Sequence, residues 1–108
     1  MKFLDDNEDY DELTQKDQLT IVQFGSDSCG PCHAITNKID KWLETHPSVS
    51  SRYIPIEKFQ SLAAQHEVFS VPTTIIYYNS KELVRRSGYY SLEEVLSEGE
   101  KMLDFIAN

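Results

Sequence analysis

At residues 19–32 the chain reads LTIVQFGSDSCGPC, in which an apolar run leads through a short polar turn to two cysteines. The run is rich in β-branched and aromatic residues and ends at Gly25 and Ser26. This pattern is typical of a buried strand that feeds a turn. We therefore predict a strand over 19–24, followed directly by the motif Cys29-Gly30-Pro31-Cys32.

A helix is predicted immediately after the cysteines, over 32–44. Its apolar residues recur at spacings of three and four, as on one face of an amphipathic helix. These residues are Ala34, Ile35, Ile39, Trp42 and Leu43. Pro47 ends the pattern. Pro31 falls near the first helical position, where its fixed φ suits the helix and its missing N–H leaves no hydrogen bond unmade. The first cysteine thus lies at the mouth of the turn, and the second lies inside the first helical turn.

This placement makes Cys29 the predicted nucleophile of the pair. Unpaired backbone N–H groups and the positive end of a helix favour a thiolate, which lowers the pKa of a cysteine at this position. Once Cys29 has attacked a substrate disulfide, Cys32 can resolve the mixed disulfide because it lies three residues away. Gly30 leaves room where the substrate chain must approach. A C-x-x-C pair between a strand and a helix therefore indicates redox chemistry.

Three other roles of the cysteines are compatible with the sequence. They could be small buried residues without chemistry. With His33 they match the c-type haem attachment motif, although Met1 and Met102 are the only methionines that could serve as a second axial ligand. A C-x-x-C pair is also half of a zinc site. The other half would come from the isolated His46 and His66, or from a second copy of the chain, since a bridged dimer could hold a metal or an iron–sulfur cluster.

The remaining patterns predict further strands and helices. They indicate a carboxylate-rich helix over 5–18, a strand over 52–56 with Pro55 suited to a sheet edge, and a short helix over 61–66 with Leu62 and Ala63 facing inward. The strongest predicted strand covers 71–78, and the turn pair Asn79-Ser80 joins it to a strand over 82–86 as a hairpin.

The last predicted helix begins after Ser91, an N-cap residue with Glu94 three positions on. Gly99 is expected to weaken its middle. Its apolar face comprises Leu92, Val95, Leu96, Met102, Leu103 and Ile106. The order of elements is helix, strand, helix, strand, helix, strand, strand, helix. We predict a single α/β domain over residues 1–108, with a mixed central sheet of four to five strands and helices on both faces.

The composition restricts the possible partners. Of 108 residues, 10 are Lys or Arg and 18 are Asp or Glu, so the net charge is −8. Phosphate binding needs clustered cations, and the doublet Arg85-Arg86 is too small, so we expect no nucleic acid partner. No run approaches the roughly 18 apolar residues of a membrane span, and the acidic N-terminal residues do not resemble a secretory signal. We expect a cytoplasmic monomer that does not bind membranes.

These features together resemble the thioredoxin family over nearly the whole chain. The resemblance rests on Cys29-Gly30-Pro31-Cys32 after a strand, Val71-Pro72-Thr73 at the start of a later strand, the Asn79-Ser80 hairpin, and Gly88 before the last helix. It implies a thioredoxin-like fold and an enzyme that reduces protein disulfides through its two cysteines, without a cofactor and with a thioredoxin reductase as electron donor. The alternative is a thioredoxin-like binding or metal-binding module without general reductase activity.

The resemblance also implies a substrate site. Pro72 would follow a cis peptide bond and lie beside the cysteines, and the backbone of Val71 would pair with an extended substrate chain. The implied substrate contacts are Gly30, Pro31, Val71, Pro72 and Gly88.

Three positions depart from the thioredoxin pattern. Ser28 stands where thioredoxins usually carry Trp before the first cysteine, so a large apolar contact for substrates is missing. Gln23 replaces the usual buried acid, and Tyr53 aligns with the lysine that partners it. An amide cannot accept the proton of Cys32 as a carboxylate can. These changes bear on the rate of the resolving step and on partner recognition, and they leave the disulfide chemistry intact.

Overall fold

The computed structural model describes residues 1–107. Its elements are α1 (Tyr10–Thr14), β1 (Leu19–Gly25), α2 (Gly30–Glu44), β2 (Ser50–Pro55), α3 (Gln60–Gln65), β3 (Thr73–Tyr78), β4 (Lys81–Ser87) and α4 (Leu92–Ala107). This order is the predicted one, and every element except α1 lies within two residues of its predicted bounds. Among the described helices, none is long and apolar enough to cross a membrane.

The strands form one mixed sheet in the order β2-β1-β3-β4. β1 is parallel to β2 and antiparallel to β3, which is antiparallel to β4. β2 therefore lies at an edge of this sheet, and Pro55 ends it, where a missing N–H is tolerated. The prediction of a mixed sheet is confirmed, with four strands.

Side chains of β1 alternate between two separate cores. Val22 and Phe24 pack with residues of α1 and α3. Ile21 points to the opposite face and packs with residues of α2 and α4. Because helices cover both faces, β1 is buried along its whole length. The prediction of helices on both faces is confirmed, and the cysteine motif follows the carboxyl end of this central strand.

The turn between β3 and β4 has the backbone that a two-residue hairpin loop requires. Asn79 and Ser80 both have positive φ, at 51° and 72°. Two such residues in succession match the twist of the flanking strands. The predicted hairpin is confirmed.

The first helix is much shorter than predicted. It covers only Tyr10–Thr14 instead of 5–18, because the Asp9 carboxylate accepts hydrogen bonds from two amides of the first turn and so begins the helix there. Upstream, the amide of Glu8 donates to the carbonyl of Asp5, and the amide of Asp5 donates to the Glu8 carboxylate. These side-chain hydrogen bonds form a separate turn that competes with helix formation.

Helix α4 begins as predicted and packs more closely than predicted. The amide of Glu94 donates to Ser91 Oγ over 3.3 Å, which confirms the N-cap. Gly99 is buried, and a Cβ at this position would lie 3.3 Å from Cδ1 of Ile76. The glycine that was expected to weaken the helix therefore allows it to approach the sheet closely.

Two residues predicted to face the core are exposed. In α2 the face that packs against the core comprises residues 35, 39, 42 and 43, of which Ile39 is fully buried. Ala34 lies outside this face and is exposed. Ile106 is 41% exposed because it lies almost one turn beyond Leu103, the last α4 residue that packs against the core.

Candidate active site

Cys29 and Cys32 lie at the junction of β1 and α2. Cys29 is the N-cap of α2, and its Sγ accepts a hydrogen bond from the Cys32 amide over 3.2 Å. The two side chains form a disulfide, with their Cα atoms 5.3 Å apart. Pro31 lies in the first helical turn, as predicted. The motif is thus in its oxidised state, with the first sulfur at the positive end of a 15-residue helix.

The two cysteines differ in their access to solvent. Cys32 is fully buried, whereas Cys29 is partly exposed. Gly30 lies on the exposed first turn of α2, where even a Cβ would meet no atom within 4 Å. A partner thiol or disulfide therefore reaches Cys29 before Cys32.

A groove runs beside Cys29. One wall contains the cis peptide bond between Val71 and Pro72, as the resemblance implied. The amide of Gly88 donates to the Pro72 carbonyl over 3.0 Å. Gly88 has a φ of 77°, a value that residues with a side chain rarely adopt. The groove has a volume of about 490 Å³ and is lined by Ser26, Ser28, Cys29, Pro31, Ile56, Val71, Pro72, Gly88 and Tyr89. We call this the active-site groove.

Most of the residues expected at the site line this groove. Those brought together are Cys29, Pro31, Val71, Pro72 and Gly88. Cys32 lies behind its partner cysteine, and Gly30 does not line the groove. Sequence reasoning missed Ile56 and Tyr89. The sequence offered one signal for Tyr89, its position next to Gly88, and none for Ile56.

Gln23 lies fully buried against the backbone of Cys32. Its Nε2 donates to the Cys32 carbonyl oxygen over 3.1 Å, and its Oε1 accepts from Thr36 Oγ1 over 2.7 Å. Thr36 Oγ1 also lies 2.9 Å from the same carbonyl oxygen. Both ends of the amide are thus hydrogen-bonded to α2, and neither of these two side chains can act as a base near neutral pH.

The histidines weighed as metal or haem ligands lie apart from one another. His33 is exposed on α2. The ring of His46 stacks on Trp42 with centroids 3.8 Å apart, and the ring of His66 lies 4.2 Å from that of Tyr10. Within residues 1–107, no group of three or more His, Cys, Asp or Glu side chains is placed to hold a metal ion.

Comparison with known proteins shows the family. The thioredoxin family model matches residues 2–101. The chain belongs to the thioredoxin family. Among solved structures, thioredoxin 1 from Thermosipho africanus aligns with this thioredoxin-family chain with a TM-score of 0.76 and 29% identity, covering 82% of this chain and 99% of that one.

Yeast thioredoxins are similar to this family member along most of its length. Thioredoxin-2 of Saccharomyces cerevisiae is 33% identical over 81 residues, which cover 74% of this chain and 78% of that protein. Thioredoxin-1 of the same yeast is 29% identical over 80 residues, with the same coverage of both chains. Mitochondrial thioredoxin-2 of Schizosaccharomyces pombe is 30% identical over 80 residues, which cover 74% of this chain and 60% of that protein.

Family membership and the disulfide-forming cysteine pair together establish the activity. This thioredoxin-family chain is a thiol–disulfide oxidoreductase that acts on protein disulfides. The fold and the class of reaction expected from the sequence are therefore confirmed.

Tyr53, which stands where thioredoxins have a lysine, packs over the end of β1. A Cβ at Gly25 would overlap the Tyr53 ring. This ring also contacts Phe3, with centroids 4.9 Å apart. Burial raises the pKa of Tyr53, and the carboxylates of Glu57 and Asp27 raise it further. An aromatic ring thus fills the position of the expected cation.

Ser28, which replaces the tryptophan of thioredoxins, belongs to a polar cluster before Cys29. Ser26 Oγ donates to Glu57 Oε2 over 2.8 Å and lies 3.2 Å from Ser28 Oγ. The Asp27 amide donates to the same carboxylate oxygen over 3.4 Å. The hydrogen bond from Ser26 lowers the pKa of Glu57, so this carboxylate is ionised at neutral pH. The turn that precedes Cys29 therefore carries a negative charge.

Proposed function

We propose that Cys29 attacks substrate protein disulfides and that Cys32 resolves the resulting mixed disulfide. One observation carries this assignment: in the Cys29–Cys32 disulfide, the partly exposed sulfur is the N-cap of a helix and the other sulfur is buried. The helix end favours the thiolate of Cys29. The burial of Cys32 keeps it from competing for the substrate.

The reaction transfers two electrons from the cysteines to the substrate. The Cys29 thiolate attacks one sulfur of the substrate disulfide, which breaks that bond and releases the first substrate thiolate. The Cys32 thiolate then attacks Sγ of Cys29, which releases the second substrate thiolate and forms the Cys29–Cys32 disulfide. Each released thiolate takes a proton from Cys32 or from water.

Gln23 does not accept the proton of Cys32 in this scheme. The amide holds the carbonyl of Cys32 and cannot accept a proton. The departing substrate thiolate or water therefore takes the proton, and Gln23 acts as a positioning residue for the first turn of α2.

The active-site groove holds the substrate chain in this proposal. No hydrogen bond to the backbone N–H or C=O of Val71 is found within residues 1–107, so both groups are available to an extended peptide. Pro31, Pro72 and Gly88 provide the adjoining surface, and Gly30 leaves the approach to Cys29 open.

The catalytic cycle requires a reductant for the Cys29–Cys32 disulfide. A thioredoxin reductase is the proposed cellular donor, and we place the chain in the cytoplasm as a monomer, since a reducing compartment suits a catalytic cysteine pair. Reduction by a purified thioredoxin reductase, cell fractionation and size-exclusion chromatography test these three assignments. Mitochondrial fractionation would contradict the cytoplasmic assignment.

The insulin reduction assay with dithiothreitol as electron source tests the proposed roles. The wild-type chain should accelerate insulin reduction, and Cys29→Ser should abolish the acceleration. Cys32→Ser should form a mixed disulfide with insulin that persists on a non-reducing gel. Ser97→Ala, on the exposed face of α4, is the matched control and should keep full activity. Equal activity in Cys29→Ser would disprove the assignment.

Reactivity of Cys29 separates the enzyme from a binding module. Alkylation of the reduced chain by iodoacetamide should follow a thiolate that forms well below the free-cysteine pKa of about 8.5. A thiol of ordinary pKa would favour the binding module instead.

A further inference from the structure

A second groove continues the active-site groove away from Cys29. The two share Ser26 and Ile56, so they form one surface. The second groove has a volume of about 430 Å³, and Ala63 and Val68 contribute to its floor. Phe69 stands at its rim with 81% of its surface exposed. The exposed ring of Phe69 beside this groove provides apolar area that a bound side chain can remove from water.

A fixed negative charge lies at the junction of the two grooves. Glu57 lines the second groove and accepts the hydrogen bond from Ser26, which lines both. The hydrogen bonds from Ser26 and from the Asp27 amide both end on Oε2, so neither uses Oε1. The carboxylate is therefore held in place and can still accept a further donor.

Among the described residues, no cation neutralises the carboxylate of Glu57. Within residues 1–107, no Lys, Arg or His nitrogen lies within 4.0 Å of Glu57. The neighbouring Lys58 pairs with Asp6 over 3.3 Å. The net charge of −8 adds a repulsion for acidic partners. The local and the overall charge therefore favour a cationic group on the substrate.

We propose that the joined grooves bind a substrate segment that carries a large apolar side chain and a Lys or Arg close to its target cysteine. The apolar side chain occupies the second groove beside Phe69, and the cation faces Glu57. This specificity rests on the proposed function, because it requires that Cys29 attacks a sulfur held in the active-site groove.

Peptides that each contain one cysteine, activated as the mixed disulfide with nitrothiobenzoate, test the proposal. Attack of the Cys29 thiolate on the peptide sulfur breaks the mixed disulfide and releases the coloured nitrothiobenzoate thiolate, and Cys32 then displaces the peptide thiol. One position near the cysteine is Leu or Ser, and another is Lys, Gln or Glu. The pre-reduced chain reacts once with each peptide, and the second-order rate constants are compared.

At low salt the wild-type chain should favour the Lys peptide over the Glu peptide by about twofold to fivefold, as for an exposed ion pair. The preference should decrease in 1 M KCl, where the Debye length is about 3 Å. The Leu peptides should react about fivefold faster than the Ser peptides, because the apolar side chain leaves water.

Two matched pairs of variants assign these preferences to their residues. Glu57→Gln should remove the Lys preference, measured within each variant as the ratio of the rate constants for the Lys and Gln peptides. Glu44→Gln, at the end of α2 away from Cys29, should keep this ratio. Phe69→Ser should remove most of the Leu preference. Phe105→Ser changes a phenylalanine of similar exposure, 77%, and should keep it.

The outcomes separate this specificity from the proposed function. Equal rates for all peptides, or the same loss of preference in Glu44→Gln as in Glu57→Gln, would overturn the specificity while leaving the reductase role intact. If the wild-type chain released no nitrothiobenzoate from any peptide, the proposed function itself would be wrong.

Discussion

The side chain of Gln23, in the middle of the central strand, donates a 3.1 Å hydrogen bond to the backbone carbonyl of Cys32. The amide thus connects the most buried strand to the turn of helix that carries the second cysteine. Thr36 completes the contact by donating to the other end of the same amide. An uncharged group consequently fills the place of a buried acid without leaving an unpaired polar atom.

Gln23→Glu should make this contact depend on pH. A neutral acid can still donate to the Cys32 carbonyl, whereas a carboxylate cannot, and burial also raises the pKa of the acid in the folded state. The variant should be most stable below the glutamate pKa of the unfolded chain, about 4.3, and should lose stability as the pH rises through the raised pKa of the folded chain. The total loss is about 1.4 kcal/mol for each unit by which the folded pKa exceeds the unfolded pKa. Urea unfolding between pH 4 and 8.5 measures this. A profile parallel to that of the wild type would refute the prediction.

Gly25→Ala should destabilise the chain because of Tyr53. The added methyl group would overlap the ring of Tyr53, which is buried and also contacts Phe3. Overpacking of this kind costs about 1–3 kcal/mol. In the background of Tyr53→Leu the same substitution should cost much less. A double-mutant cycle by urea unfolding tests the coupling, and equal costs in both backgrounds would argue against it.

Local patterns determined most of the fold, which is why the sequence was sufficient to predict it. The apolar run of β1, the stripe of α2 and the hairpin turn at Asn79 each involve near neighbours in the chain. The extent of α1 was mispredicted because a single carboxylate, that of Asp9, fixes where the helix begins. Such a hydrogen bond depends on the position of one side chain, so the carboxylate-rich composition of the segment does not predict where the helix begins.

The parts of the site that depend on tertiary packing could not be predicted in this way. The active-site groove is lined in part by Ile56, which directly follows β2, and by Tyr89, which lies in the loop before α4. These segments lie next to Cys29 only because the strands pair in one sheet. Similarly, Gly99 was expected to weaken α4, whereas its role depends on the distance to Ile76 across the helix–sheet interface. Resemblance supplied the cis bond at Pro72, which residue patterns alone leave as a minority case.

The ion pair of Glu8 with Arg52 should make stability decrease in acid. The guanidinium reaches both carboxylate oxygens, at 2.8–3.1 Å, and its hydrogen bonds lower the pKa of Glu8 to about 2. Because the pKa of Glu8 is lower in the folded chain than in the unfolded chain, where it is about 4.3, the ion pair stabilises the fold fully above that pH. This contribution is lost as the pH falls towards 2. Glu8→Gln should therefore cost about 1 kcal/mol at pH 6 and much less at pH 2.5.

Urea unfolding at both pH values measures this difference. Glu12→Gln, an exposed glutamate of α1, is the control and should change stability little at either pH. The assignment fails if Glu8→Gln is destabilising by the same amount at pH 6 and pH 2.5.

Two glycines of the site allow backbone strain to be separated from crowding. At both Gly30 and Gly88 a Cβ would meet no atom within 4 Å, but only Gly88 has a positive φ, at 77°. Gly88→Ala should therefore cost about 1–2 kcal/mol of unfolding free energy through the left-handed backbone alone. Gly30→Ala, at the first position of α2, should cost nothing or should stabilise the helix slightly. Urea unfolding of the oxidised chains tests both, and a similar cost for the two substitutions would show that the positive φ of Gly88 adds no strain.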